Sequence, residues 1–222
     1  MSANNPDDLK RIYAARFEKT AARRQQTWSV LVPDFLQKFF HPSDRVLDLG
    51  CGYGEFINNV KCGRKYAMDL NPESPKFLDP AVTFLAQDCS THWCLPDASL
   101  DAVFTSNFFE HLPDKKAVGR TLDEARRCLD TGGRLIAMGP NIKYLPGKYW
   151  EFWDHYAALT ENSLKEALET RGFQTEICLG KFLPYTMVNQ PEYPMAFLRL
   201  YLRLKPAWLI FGKQFLLVVR KA

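Results

Sequence analysis

The chain lacks several features at once, and each absence removes a class of function. Its six cysteines, Cys51, Cys62, Cys89, Cys94, Cys128 and Cys178, form no C-x-x-C pair and no zinc-like spacing. Neither a redox dithiol nor a thiolate metal finger is expected, and reduced thiols in a cytosol fit. No uncharged apolar run reaches the roughly 20 residues that span a bilayer. The longest candidate, around 195–219, is interrupted by Arg199, Arg203, Lys205 and Lys213. The N-terminus has no basic-then-apolar layout of a secretory signal, so a cytoplasmic protein is expected. No basic stripe is concentrated beyond the first 24 residues, and 29 basic against 25 acidic residues leave a net charge of only +4. That balance argues against a nucleic-acid partner. Internal repeats and low-complexity tracts are missing too.

What is present suffices for one core. The 222 residues, 46% of them apolar, predict a single domain over 1–222. Residues 7–40 read as two helices, one from Asp7 to about Arg24 and one from Trp28 to Phe40. Strands are expected at 45–50, at 64–70 with Asp69 near its end, at 81–87 running up to Asp88, and at 100–106. A helix from about Lys115 to Leu129, a Thr131-Gly132-Gly133 turn and a strand at 134–139 follow. Such alternation predicts an α/β fold with a doubly wound, mostly parallel sheet. After an irregular aromatic stretch at 141–157, Thr160 caps a helix that Gly172 stops. Strands at 173–179 and 215–220 close the chain, with prolines and a short apolar helix in 184–212 between them.

The most informative stretch is Val46-Leu47-Asp48-Leu49-Gly50-Cys51-Gly52-Tyr53-Gly54-Glu55-Phe56. A short apolar strand delivers an aspartate, and three glycines in five residues turn the backbone into a helix start. Glycines permit positive φ and let a ligand approach the main chain. A dinucleotide fold wants G-x-G-x-x-G; here the spacing is G-x-G-x-G followed by Glu55, a poor pyrophosphate neighbour. That disfavours a nicotinamide oxidoreductase. The Gly-Lys-Ser/Thr ending of a P-loop is absent as well. An aspartate directly before the glycines suits a ligand with a cationic end.

This combination resembles the first motif of class I S-adenosylmethionine (AdoMet) methyltransferases. The resemblance extends to Asp101-Ala-Val-Phe-Thr-Ser-Asn-Phe-Phe-Glu110-His111-Leu112, similar to the fourth motif of that superfamily. It also extends to Arg127-Cys-Leu-Asp-Thr-Gly-Gly-Arg-Leu135, where Thr131 replaces the usual proline. Gly139-Pro-Asn141, Tyr149-Trp150-Glu-Phe-Trp-Asp154-His155, Leu159-Thr160 and Gly172-Phe173 resemble a bacterial, type 11-like branch, as do Phe182-Leu-Pro-Tyr185 and Gly212-Lys-Gln-Phe215. That branch is associated with small-molecule, sugar or polysaccharide methylation. The match covers roughly residues 10–220 and implies a Rossmann-like seven-stranded sheet whose last strand is antiparallel. It also implies AdoMet as cofactor, no metal, an N-terminal helical lid over 1–43, and substrate-side insertions at 141–157 and 182–212.

For a ligand of that kind, Gly50, Cys51, Gly52 and Gly54 form the bend and Asp48 organises the methionine ammonium. Asp69, 19 residues after Gly50, is placed to reach the ribose hydroxyls. Asp88 and the Cys89 backbone N–H serve the adenine, and Leu70 covers one of its faces. The fourth-motif resemblance adds Ser106 and Asn107 beside the methionine end. A base is needed only if the acceptor arrives protonated; His155 is the first candidate and His111 the second, while His41 and His92 sit in turn-like contexts. Asn141, Tyr149, Trp150, Trp153 and Tyr185 are candidate substrate-binding residues. Tyr13, Phe17 and Trp28 are candidates for the lid, with packing on the sheet as their alternative.

The expected activity is methyl transfer from AdoMet to an oxygen or nitrogen of a small-molecule or saccharide-type acceptor. The rivals are a non-catalytic AdoMet-binding module and a methyltransferase for a protein, nucleic-acid or lipid-linked acceptor. Against nucleic acid, Ser106-Asn-Phe-Phe109 stands where an Asn-Pro-Pro-Tyr-like run would be expected. Apolar residues around Arg199, Arg203 and Lys205 admit contact with a membrane surface or a second subunit.

Overall fold

The computed structural model describes residues 21–185 and 194–222; Tyr13 and Phe17 lie outside them. Seven strands form one sheet: β1 (Arg45–Leu49), β2 (Arg64–Asp69), β3 (Val82–Ala86), β4 (Leu100–Ser106), β5 (Leu129–Pro140), β6 (Phe173–Leu179) and β7 (Gln214–Lys221). Their order across the sheet is β3-β2-β1-β4-β5-β7-β6. β1 to β5 pair in parallel, and β7 lies antiparallel to both β5 and β6. Strand order reverses between β1 and β4, which places a ligand crevice beyond the carboxyl ends of those two strands.

Alternation along the strands makes two cores. Leu47 and Leu49 of β1 face one side, where α3 (Lys115–Cys128) and α4 (Glu161–Glu169) add Val118, Leu122, Leu164 and Leu168. Val46 faces the other, covered by α1 (Ala21–Asp34), α2 (Glu55–Asn59), α5 (Met195–Arg203) and α6 (Lys205–Phe211). Caps set the helix starts: the Asp114 carboxylate accepts from Ala117 N–H at 2.7 Å, and Thr160 with Ser163 forms a reciprocal capping box. Each such cap is worth about 1 kcal/mol.

Three expectations need correction. The break foreseen between Arg24 and Trp28 is absent, because α1 runs unbroken from Ala21 to Asp34. Gln25, Gln26 and Thr27 are its polar face rather than a loop, and Thr27 Oγ1 donates back to the Arg23 carbonyl at 3.0 Å. The Thr131–Gly133 turn lies inside β5, since Leu129 pairs with Leu100 and pairing resumes at Arg134 with Ala102. Gly132, at φ 79°, supplies the left-handed residue that this excursion requires. Between Pro194 and Gly212 there are two helices, not one. Pro206 sits in the first turn of α6, where a missing N–H breaks no helical hydrogen bond.

Trp28 packs edge-on against Phe56 and Phe104, at 6.4 and 6.0 Å between ring centroids, so it belongs to the core over β4. Among the described residues no helix is long and apolar enough to cross a membrane. Phe197, Leu200, Leu209, Ile210 and Phe211 of α5 and α6 are exposed.

Candidate functional site

The glycine loop has the geometry that its composition asks for. Gly50, Gly52 and Gly54 all take positive φ, at 71°, 54° and 74°. Gly50 and Cys51 N–H donate to the Met68 carbonyl at 2.9 and 3.1 Å, which ties the bend to the end of β2. A Cβ on Gly54 would meet Leu78 at 2.4 Å. Cys51 is buried, and burial pushes its thiol well above the ordinary value. It is a neutral spacer.

The three acidic residues lie at or just beyond strand ends, in different states. Asp48 is 3% exposed, and its Oδ2 has no hydrogen-bond partner among the described residues. Burial raises its carboxyl well above the carboxylate range, helped by Glu55 and Asp69 and opposed by the Ile57 backbone N–H. A cationic group placed there would offset that cost. Asp69 accepts from Gly52 N–H and Asn71 N–H, each at 2.8 Å, and so is held rigidly against the loop. Burial raises it too, against the pull of those N–H groups and that of Leu70. Asp88 follows β3, which ends at Ala86, and its Oδ1 accepts from both the N–H and the hydroxyl of Ser90 at 2.8 Å. The Cys89 side chain is buried in the core, its thiol pushed up to about 12 by burial, while Leu70 is half-buried.

Beyond β4 the chain turns sharply. Asn107 has φ 50°, its N–H donates to the Met138 carbonyl at 3.0 Å, and its side-chain amide donates to Ser106 Oγ at 2.9 Å. This turn throws the Phe108 ring against Gly50 and starts a 3-10 turn, Phe109–His111.

His111 and His155 come from different loops, and the structure brings them together with ring centroids 4.9 Å apart. The stitching is main-chain: Tyr156 and Ala157 N–H donate to the Glu110 carbonyl at 2.8 and 3.1 Å. His111 Nδ1 lies 2.9 Å from the Asp154 carbonyl and 3.2 Å from its Oδ2. A carbonyl only accepts, so Nδ1 carries a proton, and in the neutral ring the lone pair lies on Nε2. Burial disfavours the charged ring, but Asp154 and Glu110 outweigh it and His111 titrates above the usual histidine value. His155 is 7% exposed, stacked on Phe152 at 4.9 Å and edge-on to Tyr149 at 4.8 Å. Glu110 is 4% exposed, and burial pushes its carboxyl up to about 7.

The proposed substrate contacts fall into two groups. Asn141 and Tyr149 have no exposed surface. The Asn141 amide donates to Glu161 Oε2 and the Gly180 carbonyl, at 2.5 and 2.9 Å, and the Tyr149 hydroxyl donates to the Ala157 carbonyl. Both brace the loop from beneath. Trp150 and Trp153 are 53% and 86% exposed, and Tyr185, half-buried, meets Phe152 edge-on at 6.0 Å. His41 and His92 are exposed turn residues paired with Ser43 and Glu124. Sequence reasoning gave no role to Phe108, Glu110 or Asp154. The available signal was adjacency, since each acid directly precedes a candidate histidine.

A concavity of about 530 Å³ lined by Asp97, Asp123, Arg127, Arg171 and Lys221 is distant from this chemistry, near the amino end of β4. The glycine loop is marked instead by its main-chain geometry and by the unsatisfied oxygen of Asp48.

The family model for a methyltransferase domain matches residues 20–176. A Mycolicibacterium smegmatis protein named "probable S-adenosylmethionine-dependent methyltransferase" is 38% identical over 143 residues, 62% of this chain and 54% of that one. The 27-O-demethylrifamycin SV methyltransferase of Amycolatopsis mediterranei is 33% identical over 104 residues, 41% of this chain and 37% of that one. The chain thus spans about half the length, or less, of these curated relatives. A crystal structure of an S-adenosylmethionine-dependent methyltransferase from Archaeoglobus fulgidus superposes with a TM-score of 0.65 at 21% identity. The superposition covers 89% of this chain and 94% of that chain, and at that identity the likeness is one of fold.

Proposed function

This chain belongs to the family of methyltransferase domains, and from that premise we propose that it moves a methyl group from AdoMet to an oxygen or nitrogen of a small-molecule or saccharide-type acceptor. The observation that carries the reading is Asp48: a buried carboxyl with an unsatisfied oxygen, beneath a bend of three positive-φ glycines. AdoMet combines the two things such a site lacks, an ammonium and a flat nucleoside able to lie on bare main chain.

Each side chain then has a task. Asp48 accepts from the ammonium. Asp69 offers its remaining lone pairs to the ribose hydroxyls, pre-oriented by Gly52 and Asn71 N–H. Asp88 and the Cys89 N–H bracket the adenine, with Leu70 against its face. Ser106 and Asn107 border the methionine end. When bound, AdoMet supplies a methyl group already activated by a sulfonium, so the chain mainly has to align the acceptor, which is worth about 7–11 kcal/mol. His111 and His155 supply the basic nitrogens at the acceptor end. His111 is the more open of the two, and Asp154 orients it as a carboxylate orients a catalytic imidazole. Trp150, Trp153 and Tyr185 form the wall that the acceptor meets. The name of one relative, a methyltransferase for an O-demethylated natural product, supports oxygen as the receiving atom.

The test is calorimetry and thermal shift with AdoMet and S-adenosylhomocysteine, followed by turnover against a panel of hydroxylated and amino acceptors. Saturable binding of both is expected. Absence of heat and of any melting shift with either compound overturns the reading.

A further inference from the structure

Glu110, His111 and His155 each offer one ligand atom, and these atoms lie within 4.8 Å of one another. Two of the three residues are almost fully buried. The cluster stands at the carboxyl end of the sheet, where a Cβ built on Gly139 of β5 would lie 3.7 Å from Glu110 Oε2. It also begins two residues after Phe108, whose ring touches the glycine loop.

His111 is arranged as metal-bound histidines are. Its Nδ1 donates to the Asp154 carbonyl at 2.9 Å, with Asp154 Oδ2 close behind, which fixes the tautomer and directs the lone pair to Nε2. The main-chain bonds from Tyr156 and Ala157 to Glu110 hold the two contributing segments in register.

We propose that Glu110, His111 and His155 bind one divalent transition-metal ion through a carboxylate oxygen and two imidazole nitrogens, leaving positions open for oxygen atoms of the acceptor. Two nitrogens and one carboxylate suit Zn²⁺, Co²⁺ or Mn²⁺ better than Mg²⁺ or Ca²⁺, which prefer all-oxygen shells. Ligand atoms bonded at about 2.1 Å stand about 3 Å apart, so the ion draws the three side chains together. The acceptor class is an alcohol or phenol with a second oxygen nearby, able to complete the shell. This inference rests on the methyl-transfer reading and deepens it: the cluster handles the acceptor by coordination rather than by proton uptake alone.

The experiment titrates Co²⁺ and Mn²⁺ separately into the full chain by calorimetry, with the visible spectrum reporting the cobalt environment. AdoMet is titrated in parallel. One saturable site per chain is expected, weakened about tenfold or more in Glu110→Gln and in His155→Ala, with AdoMet affinity unchanged in both. No saturable site in the unaltered chain overturns the inference, and that arm needs no variant to fold. Equal cobalt affinity in the folded Glu110→Gln/His155→Ala double variant overturns it as well. Binding of AdoMet without cation leaves methyl transfer standing and ends the cation site; binding of cation without AdoMet does the reverse.

Discussion

The ring of Phe108 lies so close to Gly50 that a Cβ there would sit 2.2 Å from Phe108 Cδ2. The residue after the β4 turn thus rests on the first glycine of the loop after β1. Since Gly50 also has φ 71°, Gly50→Ala meets two costs: a left-handed backbone worth about 1–3 kcal/mol and a clash with an aromatic ring. Urea melts of Gly50→Ala in the unaltered and Phe108→Ala backgrounds separate them. The loss is expected to shrink in the second background without vanishing. Equal losses in both would show that Phe108 does not press on the glycine.

Asp69→Ala is expected to weaken AdoMet binding by about 1–3 kcal/mol, the range for losing a charged hydrogen-bond partner. Calorimetry measures this directly, and an unchanged dissociation constant would remove Asp69 from the ribose site.

Asp48→Asn has opposite effects on the empty and the occupied protein. Burial, Glu55 and Asp69 raise the folded pKa of Asp48. Its ionised form therefore destabilises the fold above the unfolded pKa, and removing the charge relieves that. Near neutral pH the variant should melt at a higher temperature than the unaltered chain without ligand, yet gain less from added AdoMet. A lower melting temperature without ligand would contradict the assigned state of Asp48.

His155→Ala and His111→Ala are each expected to lower turnover about a hundredfold or more, the lower end of what a positioned base supplies. AdoMet affinity should change little. Full activity in His155→Ala would exclude it from the acceptor end.

Glu124 gives a pH signature away from the site. Arg127 hydrogen bonds hold its carboxyl down to about 2 against the opposing effect of burial, with Trp93 N–H and His92 adding to the pull. A depressed folded pKa contributes stability above the unfolded value, and that stability is lost as pH falls through the folded one. Glu124→Gln should therefore be less stable than the unaltered chain at pH 6, and the two should converge between about pH 4.5 and 2. A gap independent of pH would assign the effect to packing.

What could be read from the sequence was local. The glycine bend and the strands from Arg45 to Ser106 fall within a residue or two of expectation, because apolar runs bounded by glycine and proline leave little choice. The expected break at Gln25–Thr27 is absent because three consecutive polar residues interrupt the apolar pattern without interrupting the helix. The two histidines were legible as residue types but not as part of an assembly. That His111, His155 and Glu110 form one cluster depends on the 150s loop folding back onto the 110s turn, a pairing that spacing along the chain does not encode.

The two N–H groups that Tyr156 and Ala157 direct at the Glu110 carbonyl belong to every amino acid except proline. Any exchange of Trp150, Trp153 or Tyr156 that avoids proline at 156 therefore leaves both donors of that seam in place, so the side chains of this loop are replaceable while the backbone that carries them keeps its course.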